Sequence, residues 1–348
     1  MLKNLILWPL SVLYGIGVSI RNRLFNLGIL KIREFDVPII CVGNITVGGT
    51  GKTPHTESLI NELKNDYRVA CLSRGYKRKT SGFVLATENS TANDIGDEPM
   101  QIKNKFPEIT VAVDADRVRG IKKLMQLPEK PEVIILDDGF QHRYVKADIN
   151  IMLIDYNRPI YEDHLLPLGR LRESIHAKDR ANYVIVTKCP EEMNPLDRRI
   201  MRKVLIEAAY QNIYFTRMEA FRPQPVFGEA PAEGFDPGTE VILMSGIGNP
   251  AQFVRGASAC YRVVGELRFE DHHVYRVKDL KTLAGLIAQH PAAMVLTTEK
   301  DAVKLAGRGK VPAEIRSRLF YQPINISFID DSATDFLQNL EKDVKSDS

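Results

Sequence analysis

The apolar positions along the chain fall into two patterns. Short β-branched runs without polar alternation occupy residues 37–42, 69–72, 110–113, 133–136, 149–154 and 183–186, and segments with helical apolar spacing separate them. A strand that is apolar on both faces is buried on both sides, as in a parallel sheet covered by helices. The pattern therefore predicts an α/β domain. Runs at 241–244, 294–297 and 324–328 predict strands of a second, smaller α/β unit. Between the two sets, residues 221–240 hold four prolines and three glycines in 20 positions, against 42 such residues in all 348, which marks a linker. The predicted organisation is an N-terminal segment 1–33, a core 34–220, a linker 221–240 and a smaller domain 241–348. The tail after Leu340 is expected to fray.

The N-terminal segment has a pattern of its own. No residue from Asn4 to Ile20 is charged. The run nevertheless contains Pro9 and falls short of the roughly 20 residues that cross a bilayer. On a helical wheel Ser11, Gly15, Ser19, Asn22, Arg23 and Asn26 share a stripe about 120° wide at 100° per residue. The rest is largely apolar, including Leu10, Leu13, Tyr14, Ile16, Ile20, Leu24, Phe25 and Leu27. Such a helix, with Trp8 and Tyr14 near one end and Arg21 and Arg23 able to snorkel, suits the plane of an anionic membrane surface. Two alternatives are a core helix and a secretory signal peptide cleaved near Gly17. The nucleotide motif that follows almost at once argues against export, because nucleoside triphosphates are cytosolic.

Composition narrows the function. A chain of 348 residues suits about two domains. With 44% hydrophobic and 26% charged residues, disorder and a multi-span membrane protein are both disfavoured. The net charge of +3 is too balanced for a protein devoted to nucleic acid, and no nucleic-acid partner is expected. The charge is uneven, however. Lys3, Arg21, Arg23, Lys31 and Arg33, with no acid among them, make residues 1–33 +5 and leave 42 − 44 = −2 for the remainder. Cys41, Cys71, Cys189 and Cys260 lie too far apart for paired metal-ligand spacing or a disulfide scaffold, so a reducing setting fits best.

Two segments carry recognisable chemistry. In VPIICVGNITVGGTGKTPHTESLINELKND, residues 37–66, an apolar strand runs into Thr46, Val47, Gly48, Gly49, Thr50, Gly51, Lys52 and Thr53, and a helix pattern follows. This is the context of a phosphate-binding Walker A loop. Its glycines let backbone N–H groups curl around phosphates at a helix N-terminus, Lys52 reaches the terminal phosphates, and Thr53 ligates Mg²⁺. Thr46 stands where the pattern GxxxxGK[ST] has its first glycine. In VIILDDGFQHR, residues 133–143, an apolar strand ends in Asp137 and Asp138. Carboxylates at the carboxyl end of a parallel strand lie on the ligand edge of the sheet, where the first fits the Walker B role of holding Mg²⁺ and Asp138 is either a further metal ligand or an organiser of the nucleophile. Taken alone, the pair has a lesser reading as a helix N-cap or a turn.

The motifs TVGGTGKTP, SRGY (73–76), GDEP (96–99), VDADR (113–117), LDDGFQH (136–142), LLPLGRLRE (165–173), SGIGNP (245–250), FEDHHVY (269–275) and TTEKDAVK (297–304) occur in order along nearly the whole chain. Together they resemble the tetraacyldisaccharide 4′-kinase family. The resemblance implies a P-loop NTPase-type, mainly parallel sheet with helices on both faces. It also implies transfer of the γ-phosphoryl group of ATP, with Mg²⁺, to the 4′-hydroxyl of an acylated disaccharide 1-phosphate, giving lipid IVA. The expected place is peripheral, on the cytoplasmic face of the inner membrane. By similarity Asp97 of GDEP is the base, paired with His272 of FEDHHVY. Arg170 and Arg172 are expected to hold phosphate and Glu173 to support Mg²⁺ or orient an arginine, with Arg74, Tyr76, Asp116 and Arg117 lining the same cleft. From residue type alone, Asp97 reads as an ordinary helix-start acid, and His272 and His273 as surface histidines pointing to opposite faces of a strand. In TKCP (187–190) Pro190 stands where guanine-reading TKxD motifs have Asp, which favours ATP.

The competing class is a P-loop ATPase or GTPase switch that assembles metal centres or positions membrane partners. Its signature Lys before GG is absent, Val47 standing there. An ATP-dependent ligase for a small carboxylate is a further alternative, which the lipid-facing helix disfavours.

Overall fold

The computed structural model describes residues 2–206, 208–228, 235–307, 311–329 and 332–346. The first part of the chain runs through α1 (Leu2–Asn26), β1 (Ile39–Gly43), α2 (Lys52–Leu63), β2 (Val69–Ser73), β3 (Val84–Leu85), α3 (Ala92–Ile95), α4 (Asp97–Lys105) and β4 (Thr110–Val113). It continues with α5 (Arg117–Leu124), β5 (Val133–Asp137), β6 (Ile149–Asp155), β7 (Tyr183–Thr187), α6 (Pro195–Leu205) and β8 (Asn212–Ala220). The remainder forms β9 (Gln224–Pro225), β10 (Glu240–Ser245), α7 (Ala251–Cys260), β11 (Arg262–Arg268), α8 (Val277–Gln289), β12 (Met294–Thr298) and α9 (Glu299–Ala306). Last come α10 (Ala313–Arg316), β13 (Leu319–Gln322), β14 (Ile324–Phe328) and α11 (Ser332–Ser346).

Among the described residues the strands form two sheets, in the orders β14-β8-β7-β6-β1-β5-β2-β4-β3 and β11-β10-β12-β13-β9. The first is parallel except at its two edges, where β3 and β14 run antiparallel. Alternation along β1 shows why its run had no polar positions. Ile39 and Cys41 face one apolar cluster with Ile121 and Leu124 of α5 and Met201 and Leu205 of α6. Ile40 and Val42 face another with Leu59, Ile60 and Leu63 of α2 and Ile102 of α4. The fold is thus the expected mainly parallel α/β sheet covered on both faces.

The sheets divide the chain differently from the expected boundaries. Residues 324–346 were expected in the smaller unit, but β14 pairs with β8, Ile324 opposite Ala220 and Phe328 opposite Thr216, and so joins the first sheet. The first half of β8 pairs with β7 and its second half with β14. The two strands therefore form the ribbon through which the chain leaves the first sheet and returns. Within the expected linker, Gln224–Pro225 forms the edge strand β9, and residues 229–234 lie outside the described residues.

The tail is also not frayed. Phe336, Leu340 and Val344, spaced four apart on α11, are all buried in the α2 and α4 cluster. Leu340 is 1% exposed, so Leu340→Ala is expected to destabilise the chain by about 2–5 kcal/mol in urea denaturation. A loss below about 0.5 kcal/mol, the usual effect of a surface change, would mean that α11 is dispensable.

Helix α1 lies on the protein in the opposite sense to an ordinary surface helix. Its small polar stripe faces inward: Ser11 Oγ donates to the Leu165 carbonyl at 2.8 Å, and a Cβ on Gly15 would come within 2.8 Å of Leu165 Cδ1. Tyr14 OH donates to the Arg172 carbonyl at 2.9 Å, and Arg143 donates to the Asn22 carbonyl at 3.1 Å and to Asn26 Oδ1 at 2.7 Å. Arg21, expected to snorkel, turns inward to the Gln141 carbonyl at 3.0 Å. The apolar face points outward, leaving Trp8, Leu13, Ile16 and Ile20 more than half exposed. No helix among the described residues is long and apolar enough to cross a membrane.

Candidate active site

The sheet order reverses at β1, which lies between β5 and β6, and ligand crevices in such sheets open at the carboxyl ends of the strands around that point. The loop from β1 to α2 sits there. Gly51 caps α2 with φ 87°, in the left-handed region that glycine adopts without strain, and Gly48 has φ 113°. The loop is held from below and from both sides. Asn44 Nδ2 donates to Thr50 Oγ1 at 2.8 Å and Thr187 Oγ1 to the Thr50 carbonyl at 2.8 Å. Lys188 donates to the Gly49 carbonyl and pairs with Asp155 at 2.7 Å. The LLPLGRLRE segment runs antiparallel beside the loop, Val47 N donating to the Arg170 carbonyl at 2.8 Å and Arg172 N to the Ile45 carbonyl at 2.7 Å.

The two aspartates at the end of β5 have different environments. Asp137 is buried, and its carboxylate accepts from Thr56 Oγ1 at 3.3 Å and from Ser73 Oγ at 3.0 Å. Burial first, and then the Glu98 and Asp138 charges, push its pKa up. Asp138 adopts φ 50° and places Oδ1 3.6 Å from Lys52 Nζ and 3.5 Å from Arg172 Nη1. That oxygen is buried and has no hydrogen-bond partner among the described residues.

Across the cleft, α3 ends and α4 begins at Gly96, φ 97°, which places Asp97 at the first position of α4. Its Oδ2 lies 3.1 Å from His272 Nδ1 and 3.7 Å from Lys304 Nζ. Lys300 Nζ lies 3.4 Å from Glu98 Oε1, 3.3 Å from Asp271 Oδ1 and 3.4 Å from His272 Nε2. The Tyr76 ring meets His272 edge-on at 5.2 Å. Residues 269–275 are not a strand. His272 sits in a left-handed turn at φ 61°, which sends it to Asp97, while His273 stacks on Phe269 and bonds Asp279 at the start of α8. The histidines therefore diverge because of the turn, not because of strand alternation.

Several predicted residues have other partners. Glu173 is 1% exposed and accepts from Asn22 Nδ2 and Arg180 Nη1, each at 3.0 Å, with Arg21 at 3.9 Å. It anchors α1 and is not among the carboxylates gathered at Lys52. Arg117, 2% exposed, donates to the carbonyls of Asp114 at 2.6 Å and Asp137 at 3.3 Å, so it braces the strand ends behind the cleft. Asp116 caps α5 by accepting from Arg119 N at 3.1 Å. Arg74, Tyr76 and Arg170 are exposed, whereas Arg172 is half-buried and aimed at Asp138.

The sequence model of the family described as "Tetraacyldisaccharide-1-P 4'-kinase" matches residues 3–344. The chain belongs to this family. Proteins named tetraacyldisaccharide 4′-kinase from Parabacteroides distasonis and Phocaeicola vulgatus are 47% and 45% identical to it, each alignment covering 98% of this chain and 95% of the relative. The crystal structure of LpxK from Aquifex aeolicus, described as in complex with ATP, superimposes with TM-score 0.77 at 29% identity, covering 99% of this chain and all of that one.

As in any tetraacyldisaccharide 4′-kinase, a nucleotide and its metal must fit the donors present. The Asp138 Oδ1 atom, 3.6 Å from Lys52 and without a hydrogen-bond partner among the described residues, is an open carboxylate oxygen of the kind that could hold Mg²⁺. Asp137 is engaged by two hydroxyls and suits contact through water. Motif spacing assigned no role to Lys300 and Lys304. Their signal is positional: two lysines four apart at the start of a helix share one face. His55 was also missed. Burial lowers its pKa to about 4, so the ring is neutral. Nδ1 must carry the proton to reach the Gly51 carbonyl at 2.7 Å, which leaves Nε2 to accept from Thr216 at 3.0 Å.

Proposed function

We propose that this protein transfers the γ-phosphoryl group of ATP to the 4′-hydroxyl of an acylated disaccharide 1-phosphate at an anionic membrane surface. The observation that carries this reading is the Asp97–His272 contact at the head of α4, where the adjoining Glu98 is close enough to Asp137, bonded to Thr56 of the phosphate-loop helix, for its charge to raise the Asp137 pKa. A sugar hydroxyl is a poor nucleophile, and a carboxylate placed to take its proton supplies what it lacks. His272 orients that carboxylate through Nδ1, while Lys300 faces its Nε2. Backbone amides of residues 48–53 and Lys52 hold the phosphates, and Arg172 adds a cation on the Asp138 side. Thr53 and the open oxygen of Asp138 are the groups that would hold Mg²⁺, which would supply positive charge to offset that of the phosphates.

The test is to incubate the protein with Mg²⁺, γ-labelled ATP and acylated disaccharide 1-phosphate. Label in the lipid is expected. Label found only as free phosphate favours a hydrolytic switch instead.

The reversed α1 supports the membrane part of the reading. Its hydrogen-bonded polar stripe holds the helix to the catalytic core, and its apolar side is left for lipid, with Arg23 exposed beside it. Such a surface presents the substrate where the cleft opens, and the reading places the enzyme peripherally on the cytoplasmic face of the inner membrane. Leu13→Glu/Ile16→Glu is expected to reduce sedimentation with anionic vesicles by at least about tenfold, since each buried apolar side chain contributes roughly 1.5–3 kcal/mol. Thermal stability should be unchanged, because the two side chains are 65% and 51% exposed. Undiminished vesicle binding by the variant would remove the interfacial role of α1.

A further inference from the structure

Lys105, at the end of α4, is gripped by two carboxylates from different parts of the molecule. Its Nζ lies 2.6 Å from Glu57 Oε2 of α2 and 3.4 Å from Glu299 Oε1 of α9. Gln101 Nε2 holds the other Glu57 oxygen at 2.8 Å. Each of the three helices contributes to the active site. Helix α2 opens with Lys52 and Thr53, α4 opens with Asp97, and α9 carries Lys300 and Lys304 toward Asp97, Glu98 and His272. Helices α4 and α9 are matched charge for charge in opposite directions: Asp97 with Lys304 at 3.7 Å, Glu98 with Lys300 at 3.4 Å, and Lys105 with Glu299 at 3.4 Å.

From this arrangement we propose that Lys105 is a positioning residue for phosphoryl transfer, locking the helix of the base to the helix of the phosphate loop. The proposal rests on Asp97 being the base. A slip of α4 along α9 would set Asp97 against the wrong partner, and a slip against α2 would change the distance from Asp97 to the terminal phosphate. Stability alone is a poor reason for such a cluster. Glu57 is 3% exposed, and two carboxylates there share one cation, an arrangement whose desolvation rivals its Coulombic gain. Fixed register is the use to which buried ionic groups are best suited. The same shortage of positive charge shows in the carboxyls, for burial raises both Glu57 and Glu299 and the Glu299 charge raises Glu57 further.

Steady-state kinetics of the full chain with ATP and acylated disaccharide 1-phosphate test this. Lys105→Met is expected to lower kcat about 10- to 100-fold, the range for a misplacement near 1 Å, with KM for ATP within about threefold. Lys105→Arg should retain most of kcat, since the longer cation can span both carboxylates. The triple variant Glu57→Gln/Lys105→Met/Glu299→Gln leaves no uncompensated charge. It should recover the melting temperature but not kcat, and it keeps the test valid if Lys105→Met fails to fold. Wild-type kcat in Lys105→Met, or recovery of kcat together with melting temperature in the triple variant, overturns the proposal. In an Asp97→Ala background Lys105→Met should cause no further loss of kcat. If Asp97→Ala alone keeps wild-type kcat, the base assignment fails, a result distinct from failure of the lysine lock.

Discussion

Asp97→Asn is expected to lower kcat by about 10²- to 10⁴-fold, the usual worth of a positioned base, with KM for ATP little changed. Asparagine keeps the shape and a hydrogen bond to His272 but cannot accept the hydroxyl proton. A fall of less than tenfold would exclude Asp97 as the base. The pH profile provides a second measurement. Burial alone would raise the Asp97 pKa, but the His272 hydrogen bond and the Lys304 and Lys300 charges outweigh it and hold the carboxyl below its usual value. A base must be ionised to act, so kcat/KM should persist as pH falls to about 4, the ordinary aspartate pKa, and decline only below it. Lys304→Met removes a cation 3.7 Å from Oδ2, so the acid limb should move to higher pH. A limb that stays in place would separate Lys304 from the dyad. A weak base is adequate for this chemistry, because a loose transition state leaves little positive charge on the attacking hydroxyl until late.

How far the sequence revealed the molecule depended on the range of the signal. The buried strands were legible because each carries its apolar run within a few residues, and the phosphate loop because glycine freedom, a preceding strand and a following helix are all local. The destination of β14 was not legible. Its run at 324–328 marks a strand but contains nothing that says which sheet it joins, and that depends on β8, whose sequence mixes polar and apolar positions as it leaves the sheet. The partners of Glu173 were hidden for a related reason. An acid beside two arginines in a loop near the phosphates suggests metal, but its partners Asn22 and Arg180 come from a helix more than 150 residues away and from a later turn. The dyad joins residues 175 apart, and residue chemistry alone gave neither member a role. The family resemblance supplied the pairing, and the left-handed turn at His272 is the local feature that makes it possible.

Lys52→Ala should damage both binding and turnover, in contrast to the loss confined to kcat at Asp97. Lys52 lies at the first position of α2, where the helix dipole already favours anions, and its ammonium faces the open oxygen of Asp138. In the proposed nucleotide complex the same cation would meet phosphate oxygens whose charge shifts toward the leaving group in the transition state. Removing it therefore costs ground-state binding and more at the transition state: about tenfold or more in KM for ATP, and about 10²- to 10³-fold in kcat, the usual loss for one electrostatic donor. Arg172 is no substitute, because its guanidinium already donates to Gln141 Oε1 at 3.2 Å. Differential scanning calorimetry provides an independent reading. ATP at a hundredfold excess over Kd should stabilise the wild-type chain by about 2.7 kcal/mol, and most of that increment should vanish in Lys52→Ala while the ligand-free melting temperature stays close to wild type. If ATP still raised the melting temperature of Lys52→Ala by the wild-type amount, Lys52 would have no part in holding the nucleotide, and the loop's amides alone would account for its affinity.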